Sequence, residues 1–235
     1  MKLSIRLRNA LVFAFLMVSM VMPAKMGMGQ TYTYERTIKA PTVSAYSEAS
    51  LIHSNGKIYV GTWNKIEVFN VDGSLHSTIG SLGSGQLQWT DIHGMCELSN
   101  GNILLAEYYN NRLQEITSDG VFVRTIAFPF PQSVVALPDG GFAADSHSGA
   151  YVGIFDKNGV QVSSFTCGST PTQMLFASDG KLHVTNIYQN TISRYSLDGT
   201  LLGQYGGGGH SLSQPYKLAQ LPDKSIVVCE REVVS

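Results

Sequence analysis

The sequence predicts an all-β chain, a β-propeller of four-stranded antiparallel blades with about five blades present. Three observations predict it. A turn followed by an apolar strand recurs, with turn glycines at positions 56, 101, 140 and 180, spaced by 45, 39 and 40 residues. That period belongs to propeller blades. A second turn falls inside each unit, at Asp72-Gly73, Asp119-Gly120, Asn158-Gly159 and Asp198-Gly199. The composition agrees: 24 glycines, 43% hydrophobic and only 14% charged residues describe a globular chain of many turns and short strands.

The first element is an export signal, expected over residues 1–29. Lys2, Arg6 and Arg8 form a positive start, and residues 10–22 are an uncharged apolar core. Gly27 and Gly29 fall where the small residues of a cleavage site belong, so Gln30 would begin the mature chain, with Ala24 as an alternative cut. A membrane anchor needs about 20 apolar residues, more than this core supplies. The expected address is therefore secreted or periplasmic, with no stable membrane insertion after cleavage, and residues 30–235 form the propeller.

Glu35-Arg36-Thr37-Ile38 matches Arg124-Thr125-Ile126, the last strand of a blade, with no blade before it. Propellers close by letting one chain end complete the blade begun by the other, which removes exposed sheet edges. The strand near 32–38 is expected to complete the blade begun after Gly209. The blades follow in order, opened by Ser54-Asn55-Gly56, Ser99-Asn100-Gly101, Pro138-Asp139-Gly140, Ser178-Asp179-Gly180 and Pro222-Asp223-Lys224, the last without its glycine. Asx-Gly between apolar runs predicts hairpins with type I′ turns. Alternating strands such as Ile66-Glu67-Val68-Phe69 and Leu113-Gln114-Glu115-Ile116 precede the second turn. The last blade is incomplete, which suggests a fragment of a six-bladed protein, with a genuine five-bladed ring as the alternative. Cys96, Cys167 and Cys229 are an odd set for an oxidising compartment. They read either as buried small hydrophobes or as a set with one partner missing.

The pattern of Leu104-Leu105-Ala106-Glu107 with Asn111-Arg112-Leu113-Gln114-Glu115-Ile116 resembles the NHL repeat family. Pro138-Asp139-Gly140 with Ala143-Ala144-Asp145, and Val184-Thr185-Asn186 with Asn190-Thr191-Ile192, carry the same resemblance. It covers residues 30–235 and implies a propeller that serves as a binding platform, a scaffold or an enzyme. There is also a distant resemblance to the peptidyl-hydroxyglycine amidating lyase propellers. It implies channel histidines, each placed just after a proline-like position, holding a catalytic zinc.

Aligning the blades gives two polar columns near the channel mouth, together the candidate binding residues. The first runs along the inner strands: Glu48, His93, Gln132, Thr172 and Tyr216. The second ends the second strands: Thr62, Glu107, Asp145, Asn186 and Glu230, with blade 3 one residue shorter. Its expected task is to bind backbone N–H groups of the following turn. A zinc enzyme typically needs about three protein ligands, and of the six histidines only His93 occupies the matching place. Trp63 and Tyr108-Tyr109, at the turns that end second strands, are candidate contacts for peptides or sugars.

No nucleophile elbow, phosphate-cradling loop or metalloprotease helix is present. Gly206-Gly207-Gly208-Gly209 precedes no helix and reads as a connector. A net charge of −1 offers no field for nucleic acid or anionic lipid. The expected function is an exported platform that recognises a peptide, protein or glycan at the channel face, without a cofactor. The alternative is a zinc-dependent lyase or hydrolase. A purely structural module is the third reading.

Overall fold

The computed structural model describes residues 49–168, 170–206 and 212–231, with short backbone segments at 4–5, 13–14 and 46–47. Most of the export signal (all but the backbone at 4–5 and 13–14), the strand near 32–38, Glu48 and the glycines at 207–209 lie outside the described residues.

Four complete four-stranded antiparallel sheets follow one another along the chain. Blade 1 comprises Ala49–Ile52, Ile58–Gly61, Ile66–Phe69 and Leu75–Ile79. Blade 2 comprises Ile92–Glu97, Ile103–Glu107, Arg112–Ile116 and Phe122–Ala127. Blade 3 comprises Pro131–Ala136, Phe142–Ser146, Tyr151–Phe155 and Gln161–Thr166. Blade 4 comprises Pro171–Phe176, Leu182–Asn186, Thr191–Tyr195 and Leu201–Tyr205. A fifth sheet holds Pro215–Gln220 and Ile226–Glu230, with Ser4–Ile5 running parallel to the latter. The first strand of each blade packs against the first strand of the next, as it must around a propeller axis.

The core lies between blades, which explains why the middle strands are apolar on both faces. Ile103, Leu105 and Ile116 of blade 2 join Tyr59, Ile66 and Val68 of blade 1. The alternate residues Leu104, Ala106 and Leu113 join Val134, Phe142 and Phe155 of blade 3. Val152 and Ile154 then meet Val184 and Tyr195 of blade 4. Period-2 alternation thus sends successive side chains to opposite neighbours. Each fully buried Leu, Ile or Phe contributes about 1.5–3 kcal/mol. The outer strands carry little of this load: all five residues of Leu201–Tyr205 are exposed.

The turns correct one expectation. In the hairpin at 53–57, Gly56 has φ +79°, while Asn55 is not among the residues of positive φ. Gly56 N–H donates to His53 O and His53 N–H to Lys57 O. This is a type I turn closed by a glycine bulge rather than type I′, which requires positive φ at both central residues. The Asx side chain adds a bond of its own. Asn55 Oδ1 accepts the Lys57 N–H, Asn100 Oδ1 that of Asn102, Asp139 Oδ1 that of Gly141 and Asp179 Oδ1 that of Lys181. The three cysteines are free thiols, with Cys96 and Cys167 both pushed up to about 12 by burial.

Candidate functional site

Antiparallel connectivity puts all the Asx-Gly turns on one face of the ring. On the other face meet the loops that end the second strands and the loops that enter the inner strands. The entry is stereotyped. The residue before the inner strand of blades 2–4 and of the fifth sheet has positive φ: Asp91 (+64°), Phe130 (+45°), Thr170 (+56°) and Gln214 (+46°). Backbone bonds clamp three of these entries to loops that end second strands. Asp91 N–H donates to Trp63 O, His147 N–H to Phe130 O and Arg231 N–H to Gln214 O.

The inner strands of blades 2–4 and of the fifth sheet then bulge, between Ile92 and Gly94, Pro131 and Ser133, Pro171 and Met174, and Pro215 and Lys217. The bulges contain His93, Gln132, Thr172 and Tyr216, so the described members of the first column share one register position. A bulge re-aims its side chain out of the ladder. Gln132 and Thr172 are buried, and Thr172 donates toward Pro215 O and Tyr216 O of the fifth sheet. His93 and Tyr216 are half-buried.

The second column is not one column. The ladder pairs Glu107 with Ile92, Ser146 with Pro131, Asn186 with Pro171 and Glu230 with Pro215. Ser146, not Asp145, therefore holds the position in blade 3, and its Oγ accepts the turn N–H of Gly149. Asp145 sits one step back, where Oδ1 accepts the Ser133 N–H at 2.8 Å and Oδ2 is buried without a hydrogen-bond partner. Thr185 is its counterpart in blade 4 and accepts the Gln173 N–H. Burial pushes the Asp145 carboxyl up to about 7, opposed by the backbone N–H groups and then by the charges of Lys217 and His93.

The other members use their side chains structurally. Glu107 is fully buried and accepts from Asn110, Arg112 Nε and Gln114. Arg112 then donates to the carbonyls of Ser84, Gly85 and Gln88, clasping the connection from blade 1. Burial pushes the Glu107 carboxyl up against these bonds. Thr62 donates to Lys65 O, Asn186 to Ser193 Oγ, and Glu230 accepts the Ser213 N–H.

One cluster on the loop face joins the sequence candidates. His93 stacks on Tyr108 with ring centroids 4.6 Å apart and 15° between planes, and Tyr109 meets it edge-on at 6.4 Å. Nδ1 of His93 faces Gln132 Oε1 at 2.7 Å and Nε2 faces Asp91 Oδ2 at 2.8 Å. Trp63 lies 5.9 Å from Tyr109, and Phe130 and His147 lie 5.6 and 5.8 Å from Tyr108. Trp63 is 42% exposed and Tyr109 57% exposed. Sequence reasoning found Trp63, His93, Tyr108, Tyr109 and Gln132 but missed Asp91, Phe130 and His147. The recurring proline that opens three inner strands (Pro131, Pro171, Pro215) was the available signal, since it marks the entry where Phe130 sits.

Zinc does not fit this cluster. Both His93 nitrogens are directed at Gln132 and Asp91, and His147 Nδ1 is directed at Pro171 O. Among the described residues no three His, Cys, Asp or Glu side chains form a metal-ligand group. No helix among them is long and apolar enough to cross a membrane.

The chain matches no protein-family model and no curated protein. It does resemble solved propellers. A catalytically inactive virginiamycin B lyase from Staphylococcus aureus, solved with quinupristin, superposes with a TM-score of 0.65 at 19% identity, covering 78% of this chain and 63% of that one. A streptogramin B lyase gives 0.66 at 17%, covering 82% and 65%. The extracellular domain of a putative hybrid two-component system from B. thetaiotaomicron gives 0.62 at 17%, covering 79% and 26%. The chain thus spans less than two thirds of either lyase. At these identities the likeness carries the propeller fold.

Proposed function

We propose that this chain is an exported propeller that recognises a ligand on its loop face, centred on His93. The observation that carries the reading is the aromatic cluster around His93. Loops from three blades bring Trp63, Tyr108, Tyr109 and Phe130 to one polar group, and rigid sheets hold the loops in place. Exposed rings around a fixed hydrogen-bonding centre give a ligand both apolar contact and orientation. The reading needs no metal. The apolar N-terminal core at residues 10–22 supports export.

The test is ligand-linked stabilisation of the full chain. A ligand that binds only the folded state raises the melting temperature, and Trp63→Ala with Tyr109→Ala should abolish that rise while leaving the unliganded melting temperature nearly unchanged. A ligand-induced rise that survives both substitutions would place the binding surface elsewhere on the ring.

A further inference from the structure

We infer that the ligand of this face is a neutral saccharide ring, seated over Trp63 and Tyr109 with a hydroxyl turned to Asp91, which His93 holds in place. The inference rests on the recognition reading above and narrows it to one ligand chemistry.

Three features select that chemistry. The first is the layout. A protein–protein interface has an apolar centre and a polar rim. Here the order is inverted, with Asp91, His93 and Gln132 in the middle and Trp63, Tyr109 and Phe130 around them. A small ring with an apolar face and a polar edge matches this arrangement. Trp63 and Tyr109 stand tilted by 52° at 5.9 Å, so each leaves ring surface open to solvent instead of stacking on the other.

The second feature is charge. The Asp91 carboxylate already holds His93 Nε2 at 2.8 Å, and Glu107 is buried against Arg112 at 2.9 Å. The cluster contains no Lys or Arg, so an anionic ligand group such as a uronate meets no fixed cation there to repay its desolvation. A hydroxyl suits Asp91, whose second carboxylate oxygen can accept from it.

The third feature concerns the peptide alternative. Extended peptides bind by adding a strand to an open sheet edge. In this fold the open edges are the outer strands, such as Gln161–Thr166 and Leu201–Tyr205, on the rim of the ring. The loop face offers closed turns instead.

The experiment uses the full chain with three probe sets: neutral gluco-, manno-, galacto- and xylo-oligosaccharides, uronic-acid oligosaccharides, and a library of unstructured peptides. Emission of Trp63 is the readout, because the other tryptophan, Trp89, is fully buried. At least one neutral oligosaccharide is expected to shift that emission and raise the melting temperature. Trp63→Ala, read by melting temperature, should weaken binding at least tenfold, and so should Asp91→Asn, which keeps a residue tolerant of φ +64°. Val162→Ala on the outer strand should change nothing. Peptide binding that depends on Trp63, with every saccharide silent, overturns the saccharide and leaves the recognition reading standing. Binding confined to the uronic-acid set overturns neutrality. If no probe perturbs Trp63, or if saccharide binding survives both substitutions, the site itself is overturned.

Discussion

His183 lies face to face with Tyr205, ring centroids 5.9 Å apart and 8° from parallel, with neither ring nitrogen hydrogen-bonded. Asp179 Oδ2 stands 3.6 Å from Nε2, beyond hydrogen-bond range, and Arg194 faces His183 across the ladder. Burial is the main cause that lowers the His183 pKa below the ordinary histidine value. The folded state therefore binds fewer protons than the unfolded chain, so stability is complete above about pH 6.5 and falls as the pH drops below it. His183→Leu, which installs the residue of the equivalent position Leu104, should remove that acid sensitivity in urea titrations at pH 5 and 7. An unchanged difference between the two pH values would contradict this.

Asp145 acts with the opposite sign. Its folded value of about 7 lies above the unfolded 3.8, so the folded state binds the extra proton between these values and stability falls as pH rises through them. Asp145→Asn keeps an oxygen for the Ser133 N–H and abolishes the titration. The difference in unfolding free energy between variant and parent should grow from pH 4 to pH 7, on the order of a few kcal/mol. A constant difference would mean that the carboxyl titrates normally.

Gly80 cannot carry a side chain. It has φ +81°, and an added Cβ would lie 2.2 Å from Cζ2 of the buried Trp89 and 2.9 Å from Leu87 O. Gly80→Ala should destabilise the chain by more than about 3 kcal/mol, seen as lost soluble yield or a large fall in melting temperature.

Lys224 occupies the bulge position of the fifth turn, where the other blades have glycine, and holds φ +68°. Its Asx neighbour still works, with Asp223 Oδ1 accepting the Ser225 N–H at 3.0 Å. Left-handed backbone costs a non-glycine residue about 1–2 kcal/mol, partly offset by the added freedom of glycine in the unfolded chain. Lys224→Gly should therefore stabilise by about 0.5–1 kcal/mol in denaturant titration. A loss of stability would show that the lysine stem contributes packing.

The blades were legible because the turn that closes each one demands a particular pair of residues. The turn type was not, since type I′ and type I with a glycine bulge both place glycine after an Asx residue. Nor did the sequence betray the register of Asp145. A bulge is an irregularity of the main chain with no residue signature, and the inner strands of blades 3 and 4 each carry one extra residue at slightly different places. Trp63 and Tyr108-Tyr109 could be read because they end recognisable strands. Asp91 and His147 reach the same cluster from loops whose convergence depends on how neighbouring blades pack side by side.

Because the three clusters between blades 1 and 4 are each shared by just two neighbouring blades, no described residue of blade 1 joins the packing of blade 4. The chain can therefore acquire its structure in the order in which it is made, each blade finding its partner already in place. Across blades 1–4, contact between distant stretches of sequence, which slows the folding of most β proteins, gives way to a series of steps between neighbouring blades. A defect such as a substitution at Gly80 should then spread no further than the adjoining pair.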